Sequence, residues 1–491
     1  MRKIVLALLA LLALPSYGQR TLTLDSCRAM ALRNNKHLVA SRINKDVAYN
    51  TRKSARTNYL PKVDALGSYQ YMSKEISLLN KSQKAFFSSL GTSSTSEVSN
   101  LLTNLAQSGA ISPELAQELG GMLSQVAGPL ENAGNKIGQK IRDAFKTDTK
   151  NFWTGSVMVR QPVYMGGAII AVNKMADIGE QMAANNEDLV AQTTLYSIDQ
   201  TYWTTVSLRQ KKNLAYSYRD LVKKLDDDVN KMIREGVATK SDGLRVDVKV
   251  NEAEMQIVQV EDGLVLSKML LCQLCGLPLD EDITLADENK SSLDATVVDM
   301  GTSNDSTYSE RPEVRLLQNA IDMSEQNTKL TLSQYLPHVL LTGGYMVSNP
   351  NVFNGFERKF AGVWNVGVTL TVPLWTWMDS KYKMRASKAT TTIARLDLAD
   401  AQEKIHLQTT QSRFKIKEAQ KRLFMANSNL ASAEENLRCA NLGFKEGVMD
   451  VTDVMTAQTA WQKAQSDKID AEVDVKLSQV ELQKALGRLR Q

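Results

Sequence analysis

Two fixed offsets relate the first half of this 491-residue chain to the second, and they constrain its fold more than any other feature. At an offset of 276 positions, Tyr59-Leu60-Pro61 falls on Tyr335-Leu336-Pro337. At an offset of 211 positions, residues 153–276 align without a gap with residues 364–487. Repetition of this kind indicates that one supersecondary unit is present twice in the chain.

The two offsets differ by 65 positions because the first copy carries an insertion. Residues 73–151 separate its two strand-like segments, whereas the second copy has only residues 349–362 at that place. Within the insertion, Ser112-Pro113-Glu114 has the pattern of a helix start, and its apolar stripe ends at Gly128-Pro129. A second helix is predicted from Leu130 to Phe145.

Residues 1–18 have the pattern of a secretory signal peptide. Arg2 and Lys3 precede an apolar run from Ile4 to Leu14, and small residues follow it before Gln19. The run is too short to cross a bilayer as a helix, although an N-terminal anchor is the alternative interpretation. No later run reaches the about 18 apolar residues that a transmembrane helix needs, so we expect an exported chain without one.

Four segments of about ten residues alternate apolar with small or polar side chains, as strands with two unlike faces do. Strands of this length can cross a bilayer when tilted, although a soluble β-sandwich uses the same alternation and is the alternative. Prolines mark the predicted junctions with helices, namely Pro61 and Pro337 at strand starts and Pro162 and Pro373 at strand ends. The predicted apolar faces comprise Val63, Ala65, Tyr69, Tyr71, Trp153, Val157, Val159, Val339, Leu341, Tyr345, Val347, Trp364, Val366, Val368, Leu370 and Val372.

The remainder of the chain is predicted to be helical, with breaks at Gly236 and Gly447. Residues 168–234 contain no proline, and a helix of that length reaches about 100 Å. Its apolar residues form a narrow stripe, which is typical of helices that pair as in a coiled coil. Residues 244–250 alternate like a strand, but their repeat partner at 455–461 does not, so both are predicted to be helix.

These elements predict an assembly of several copies. Four strands cannot close into a barrel alone, and open strand edges are not tolerated in lipid. Long helices with narrow apolar stripes also bury little surface alone. We therefore expect a ring-shaped oligomer, in which a short shared barrel continues as a tube of helices with a water-filled interior.

Composition and spacing argue against several classes of function. The net charge of +5, or +3 without Arg2 and Lys3, gives no reason to expect nucleic-acid binding. Cys272 and Cys275 stand in an apolar helix end, where buried cysteines are favoured over a disulfide or metal site. The three histidines lack ligand spacing. Since the sequence also has no phosphate loop or nucleophile elbow, we predict no metal, cofactor, catalytic residue or enzymatic activity.

The ordered set of features resembles the TolC family of outer-membrane channels. It consists of the exported leader, the helix opening Leu32-Arg33-Asn34-Asn35, the two Tyr-Leu-Pro strand entries and the duplicated Gly-Val…Asp hairpins, and it covers nearly all of the mature chain except 73–151. The resemblance implies a homotrimer whose twelve strands form one barrel in outer-membrane lipid of a Gram-negative bacterium, with a helical tunnel in the periplasm. It further implies a periplasmic adaptor (a membrane fusion protein) and an inner-membrane pump of the RND or ABC type.

The resemblance assigns adaptor docking to the tips of the two helical hairpins. The glycines of these tips resemble the docking turns of the family, while their role as turn residues alone is the alternative, because glycine lets the backbone reverse between helices. The residues assigned to docking are Gly236, Val237, Thr239, Gly447 and Val448.

The resemblance also assigns a periplasmic gate. Asp453 matches the first aspartate of the family's constriction, where a ring of carboxylates favours cations. Asp242 matches an aspartate of the inner hairpin that would bind a basic residue. The chain departs from the family at Met449, where a basic residue is common, and at Thr456, where a second aspartate is common. Solvated carboxylates at helix starts are the alternative interpretation of Asp242 and Asp453.

The predicted fold class is mainly α with a small β part, arranged as a two-fold repeat. We expect the insertion to lie outside the cell, where outer-membrane barrels keep their long loops. The predicted layout is a signal peptide (1–18), first helices (19–60), strands (61–72 and 152–163) around the insertion (73–151), tunnel helices (164–277), an equatorial linker (278–309), a helix (310–336), strands (337–348 and 363–374) and tunnel helices (375–491).

The predicted function is a passive exit duct from the periplasm to the exterior, serving efflux of drugs and other small molecules in a tripartite system. The exit duct of a type I protein secretion system is the alternative within the same class. An exported coiled-coil scaffold is the alternative from another class. It accounts for the long helices but not for four strands of bilayer length placed symmetrically in two repeats.

Overall fold

A computed structural model describes residues 20–75, 80–108, 113–144, 147, 149–290, 293, 310–353, 356 and 358–489. They fall into two compact units. The helical unit takes its described residues from Met1–Arg56, Ile170–Leu332 and Thr376–Gln491, and the strand unit takes its own from Thr57–Ile169 and Ser333–Trp375. The predicted signal peptide lies outside the described residues.

The elements of the described residues are mainly helical, with short strands between them. In chain order they are β1 (Arg20–Leu22), α1 (Leu24–Asn34), α2 (Lys36–Arg56), β2 (Lys62–Tyr71), α3 (Lys81–Ser88), α4 (Leu90–Gln107), α5 (Pro113–Ala144), β3 (Asn151–Met165), α6 (Ala168–Arg234), α7 (Lys240–Cys275), β4 (Ile283–Leu285), α8 (Pro312–Ser333), β5 (His338–Asn349), β6 (Ala361–Thr371), α9 (Asp379–Lys445) and α10 (Val451–Ala485).

A four-stranded antiparallel sheet in the order β2-β3-β5-β6 forms the centre of the strand unit. Its register places Val157 opposite both Ala65 and Tyr345, and Tyr345 in turn opposite Trp364. Residues directly opposite one another on neighbouring strands point to the same side of a sheet. The apolar faces predicted for the four strands therefore all lie on one side of this sheet.

Prolines lie at three of the four junctions where the sequence places them. Pro61 and Pro337 immediately precede β2 and β5, and Pro373 follows β6, which ends at Thr371. Pro162 does not end its strand, because β3 continues to Met165 with a register shift between Pro162 and Tyr164. The bulge falls at Val163, and the pairing of β3 with β2 ends at Arg160, so Pro162 lies where the hydrogen-bond ladder is incomplete and a proline can be accommodated within the strand.

The described residues of the insertion in the first copy form three helices of the strand unit. The prediction of a helix that ends at Gly128-Pro129 and a second that starts at Leu130 is wrong, since α5 runs unbroken from Pro113 to Ala144 with Pro129 inside it. A residue before proline normally avoids the helical region because its Cβ meets the proline ring. Gly128 has no Cβ, so the helix continues through the proline.

The helical unit contains two long hairpins, α6 with α7 and α9 with α10. Polar bonds join the members of the first hairpin, including Tyr216 to Glu261 at 2.8 Å and Lys223 to Glu254 at 2.6 Å. Lys415 reaches Glu481 across the second hairpin at 2.9 Å. Helix α7 includes residues 244–250, so the helical interpretation of this segment is confirmed.

A short parallel pair of strands, β1 and β4, also belongs to the helical unit. Strand β4 lies within residues 278–309, which were predicted to be a linker. The side chains of Ile283 and Leu285 are buried there together with Cys27, Cys272 and Cys275 in one apolar cluster. All three cysteines are buried and none of them is in a disulfide, and burial was predicted for two of them, Cys272 and Cys275.

Among the helices in the described ranges, none combines the length and apolarity that crossing a membrane requires.

Candidate functional site

The tip of the first hairpin is a tight turn between α6 and α7. Gly236 has a φ of 76°, a left-handed conformation that glycine adopts without strain. The amide of Val237 donates to the carbonyl of Met232 at 2.8 Å, which satisfies an end group of α6. Thr239 then caps α7, since its hydroxyl accepts from the amide of Asp242 at 3.3 Å.

The tip of the second hairpin repeats this turn residue by residue. Gly447 has a φ of 75°, and the amide of Val448 donates to the carbonyl of Gly443 at 2.8 Å. Asp450 takes the capping role of Thr239 and accepts from the amide of Asp453 at 2.9 Å. Val237 is 71% exposed and Val448 is 82% exposed, so each turn presents an apolar side chain to its surroundings.

The two aspartates predicted at the gate are both the third residues of their helices, in capping boxes. Asp242 accepts from the hydroxyl of Thr239 at 2.6 Å and from its amide at 3.1 Å, and these bonds lower the pKa of that carboxyl. Asp453 accepts from the amide of Asp450 at 3.3 Å. The local fold thus fixes both carboxylates at a hairpin tip, as the helix-start interpretation expects, and leaves Asp453 exposed.

Arg245 is a basic residue near these carboxylates that the sequence comparison missed. Its guanidinium lies 3.8 Å from Asp242, one turn earlier on α7, and 3.5 Å from the hydroxyl of Thr452 on α10. The first hairpin therefore supplies a cation at the tips, whereas the family's basic residue is expected in the second hairpin. Its spacing of three from Asp242 was the sequence signal that could have identified it.

Met449 and Thr456 occupy the two positions that depart from the family pattern. The side chain of Met449 lies over Gly443, where an added Cβ would meet its Sδ at 3.1 Å. The hydroxyl of Thr456 donates to the carbonyl of Thr452 at 2.8 Å, within its own helix. Neither side chain makes an ionic contact of the kind that the family residues would make.

A cleft of about 730 Å³ separates the hairpins near their tips, with both polar and apolar walls. Beside the cleft, the hairpins are joined by an apolar cluster that includes Val229 of α6, Val246 of α7 and Val454 of α10. The lining residues of the cleft include Lys224, Asp228, Met232 and Val237 from the first hairpin and Phe444 and Gly447 from the second.

The described residues contain no cluster of three His, Cys, Asp or Glu side chains placed to hold a metal ion.

Comparisons with known proteins agree with the fold. Residues 305–488 match the family described as Outer membrane efflux protein. The outer membrane protein TolC of Vibrio cholerae is 26% identical over 171 residues, which are 34% of this chain and 39% of that protein. The chain therefore matches about two fifths of the length of this curated relative.

Solved structures extend the likeness to almost the whole chain. The Campylobacter jejuni CmeC outer membrane channel is 13% identical, with a TM-score of 0.72 over 95% of this chain and 85% of that one. The open state of the Neisseria gonorrhoeae MtrE outer membrane channel is 16% identical, with a TM-score of 0.68 over 95% and 89%. At these identities the likeness shows the fold alone.

Proposed function

We propose that this chain, whose residues 305–488 belong to the outer membrane efflux protein family, is the subunit of a passive exit duct that crosses the outer membrane. The family resemblance found in the sequence and the outer-membrane location are confirmed by this match and by the TolC relative. The observation that carries the proposal is the sheet of the strand unit, whose register collects the apolar residues of four strands on one face.

The apolar face of the sheet suits contact with lipid. Trp364 is 75% exposed and Val366 is 70% exposed, and the other predicted members of this face on β6 are also exposed. The opposite face carries polar groups, among them the ion pair of Asp64 with Arg160. A sheet with one apolar and one polar face fits a wall between lipid and a water-filled lumen.

The edges of the sheet support assembly from several copies. Strands β2 and β6 stand at the two ends of the strand order, and each pairs with a single strand of this chain among the described residues. An edge of unpaired amides and carbonyls is not stable in lipid. We infer that β2 of one copy pairs with β6 of the next, and that three copies close a barrel of twelve strands.

The long hairpins support a tunnel of helices in the periplasm. Helix α7 exposes Leu244, Val248, Met255 and Val258, and α9 exposes Ile393, Leu396, Leu407 and Phe414, so each hairpin has apolar residues that the described part of the chain leaves uncovered. Packing of α7 from one copy beside α9 of its neighbour would bury both sets. Such a ring would continue the barrel as a closed wall.

We infer that the hairpin tips contact a periplasmic adaptor and, through it, an inner-membrane pump for small molecules. The exposed Val237 and Val448 at the two repeated turns provide apolar contacts of the kind that a partner covers. The cleft between the hairpins offers both apolar walls and charges of both signs to such a partner. Three copies of Asp453 would place three carboxylates at the same end of the tunnel, which favours cations.

Outer-membrane fractionation tests the proposal against the coiled-coil scaffold. Membranes from cells that express the full chain are separated by density, extracted in mild detergent, and run on gels with and without heating. A channel subunit is expected in the outer-membrane fraction as a trimer that becomes a monomer only on heating. Recovery of the chain in the soluble periplasmic fraction would instead support the scaffold and overturn the proposal.

A further inference from the structure

Helix α5 of the insertion carries an apolar stripe that no described part of the chain covers. Its members recur at spacings of three, four or seven positions, which places them on one side of the helix. Each is more than one third exposed, and the stripe extends for about 33 Å. The stripe consists of Leu115, Leu119, Met122, Val126, Leu130 and Ile137.

The opposite side of α5 is already packed against α3 and α4 at backbone distance. A Cβ added to Gly134 would lie 2.5 Å from the Cα of Gly91, and one added to Gly138 would lie 1.7 Å from the carbonyl oxygen of Phe87. The amide of Gly91 also donates to the side-chain oxygen of Asn135 at 3.0 Å. Because these contacts fix the rotation of α5, its stripe faces away from the described residues that pack against the helix.

The position of α5 in the strand unit favours a second copy of this chain as the cover. The insertion starts from β2, an edge strand that pairs with the neighbouring copy under the proposed function. Helix α5 ends at Ala144, and β3 begins at Asn151, so a short segment ties the helix to the sheet. Spacings of four and three are also those with which identical helices pack side by side.

We propose that the α5 stripes of three copies pack together as a parallel three-helix bundle that covers the outer mouth of the duct. This inference rests on the proposed function, since the shared barrel is what brings three copies together. Three copies related by rotation about one axis have identical surroundings, so α5 helices that run along this axis would be parallel and could turn the same side toward one another. The bundle buries the stripe and narrows the exit.

Cysteine cross-linking in the full-length protein tests the bundle. The variant Val126→Cys is made with Cys439→Ala, which removes the exposed native cysteine, and Gln125→Cys in the same background is the matched control. A disulfide forms only where Cα atoms approach to about 4.4–6.8 Å, which packed stripes allow. After mild oxidation of purified trimers, Val126→Cys is expected to give a covalent dimer band that Gln125→Cys lacks.

The outcomes separate this inference from the proposed function. If both variants form heat-sensitive trimers but Val126→Cys cross-links no more than Gln125→Cys, the bundle is overturned and the duct is not. This includes the case in which lipid or another protein covers the stripe. If neither variant forms trimers and the unmodified protein forms none either, the proposed function itself fails.

Conductance provides a second readout of the bundle. The double variant Leu119→Asp and Val126→Asp puts charges into the stripe, so it is expected to open the bundle and to raise single-channel conductance in a planar bilayer. Gln125→Asp should leave conductance unchanged. Equal conductance of the double variant and the unmodified protein, with trimers intact, would contradict a cover over the mouth.

Discussion

Arg28 and Asp199 form an ion pair between α1 and α6 in the helical unit. The guanidinium donates to both carboxylate oxygens, at 2.7 and 2.5 Å, and the side chain of Asp199 is fully buried. Burial raises the pKa of Asp199, because the ionised carboxyl loses its water, while the bonds from Arg28 act in the opposite direction. A buried ion pair is tolerated only while both partners are present, because the loss of one leaves the charge of the other without compensation.

Removal of Asp199 should therefore be costly. Asp199→Ala leaves the guanidinium of Arg28 without its partner, and we expect it to lower the free energy of unfolding by about 3 kcal/mol. Asp474→Ala, which removes the partner of Arg422 at 3.2 Å on the surface, should cost less than about 1 kcal/mol. Thermal unfolding followed by circular dichroism in detergent measures both, and equal losses would contradict a special role for the buried pair.

Asp453 gives a prediction about conduction. Asp453→Asn removes the charge but keeps an oxygen that can accept from the amide of Asp450, so the helix cap is preserved. If three Asp453 carboxylates line the constriction, this variant should reduce the preference for cations in a planar bilayer, while Asp453→Glu should retain it. An unchanged reversal potential for Asp453→Asn in a salt gradient would place this residue outside the pore.

Residues whose roles are set by their sequence neighbours could be predicted. The turns at Gly236 and Gly447 depend on glycine in a left-handed conformation, which the repeated Glu-Gly-Val motif indicates. The contact of Arg245 with Thr452 joins positions 207 apart in the sequence, so only the packing of the two hairpins reveals it. The contact of Met449 with Gly443 is local, but it depends on the geometry of the turn between them, which the residue types alone did not specify.

Among the elements, the four strands matter most to the proposed function, because one face of their sheet would contact lipid and the other would line the lumen. Alternation predicted each apolar face, but only the register of the sheet shows that the four faces coincide. Helix α6 was equally predictable, since the proline-free stretch from which it was predicted has the same bounds, Ala168–Arg234, as the helix. The strands β1 and β4 have three residues each, which is too few to show an alternating pattern. The length of α5 was mispredicted because a proline inside a helical pattern normally indicates a helix end.

A pair of lysine substitutions on β6 tests which face meets lipid. Val366→Lys places a charge on the apolar face, where it should cost about 2–4 kcal/mol at the bilayer midplane and reduce the amount of trimer in the outer membrane. Thr369→Lys places the same charge on the opposite face and should be tolerated. Quantitative blots of outer-membrane fractions compare the two, and equal loss of trimer would contradict the assignment of the faces.

At the scale of the whole molecule, the two copies of the repeat supply paired hairpins and paired sets of strands. Both hairpins have closely similar lengths, since α6 and α9 contain 67 residues each and α7 and α10 contain 36 and 35. The repeat could be recognised in the sequence because its two copies align without a gap over long segments. The insertion has no counterpart in the second copy, so no duplicate could correct the prediction for α5.

Assembly is the claim on which the whole account depends. In the described residues of a single chain, the four-stranded sheet has two edges and the hairpins have uncovered apolar residues, and neither feature makes a pore alone. Both are explained if copies share a barrel and a tunnel.

Single-channel recording of the purified full-length protein in a planar lipid bilayer tests this most directly, with the mass of the same sample measured in detergent. The account predicts a trimer that inserts in discrete conductance steps and prefers cations. A protein that remains a monomer and produces no conductance steps would contradict it.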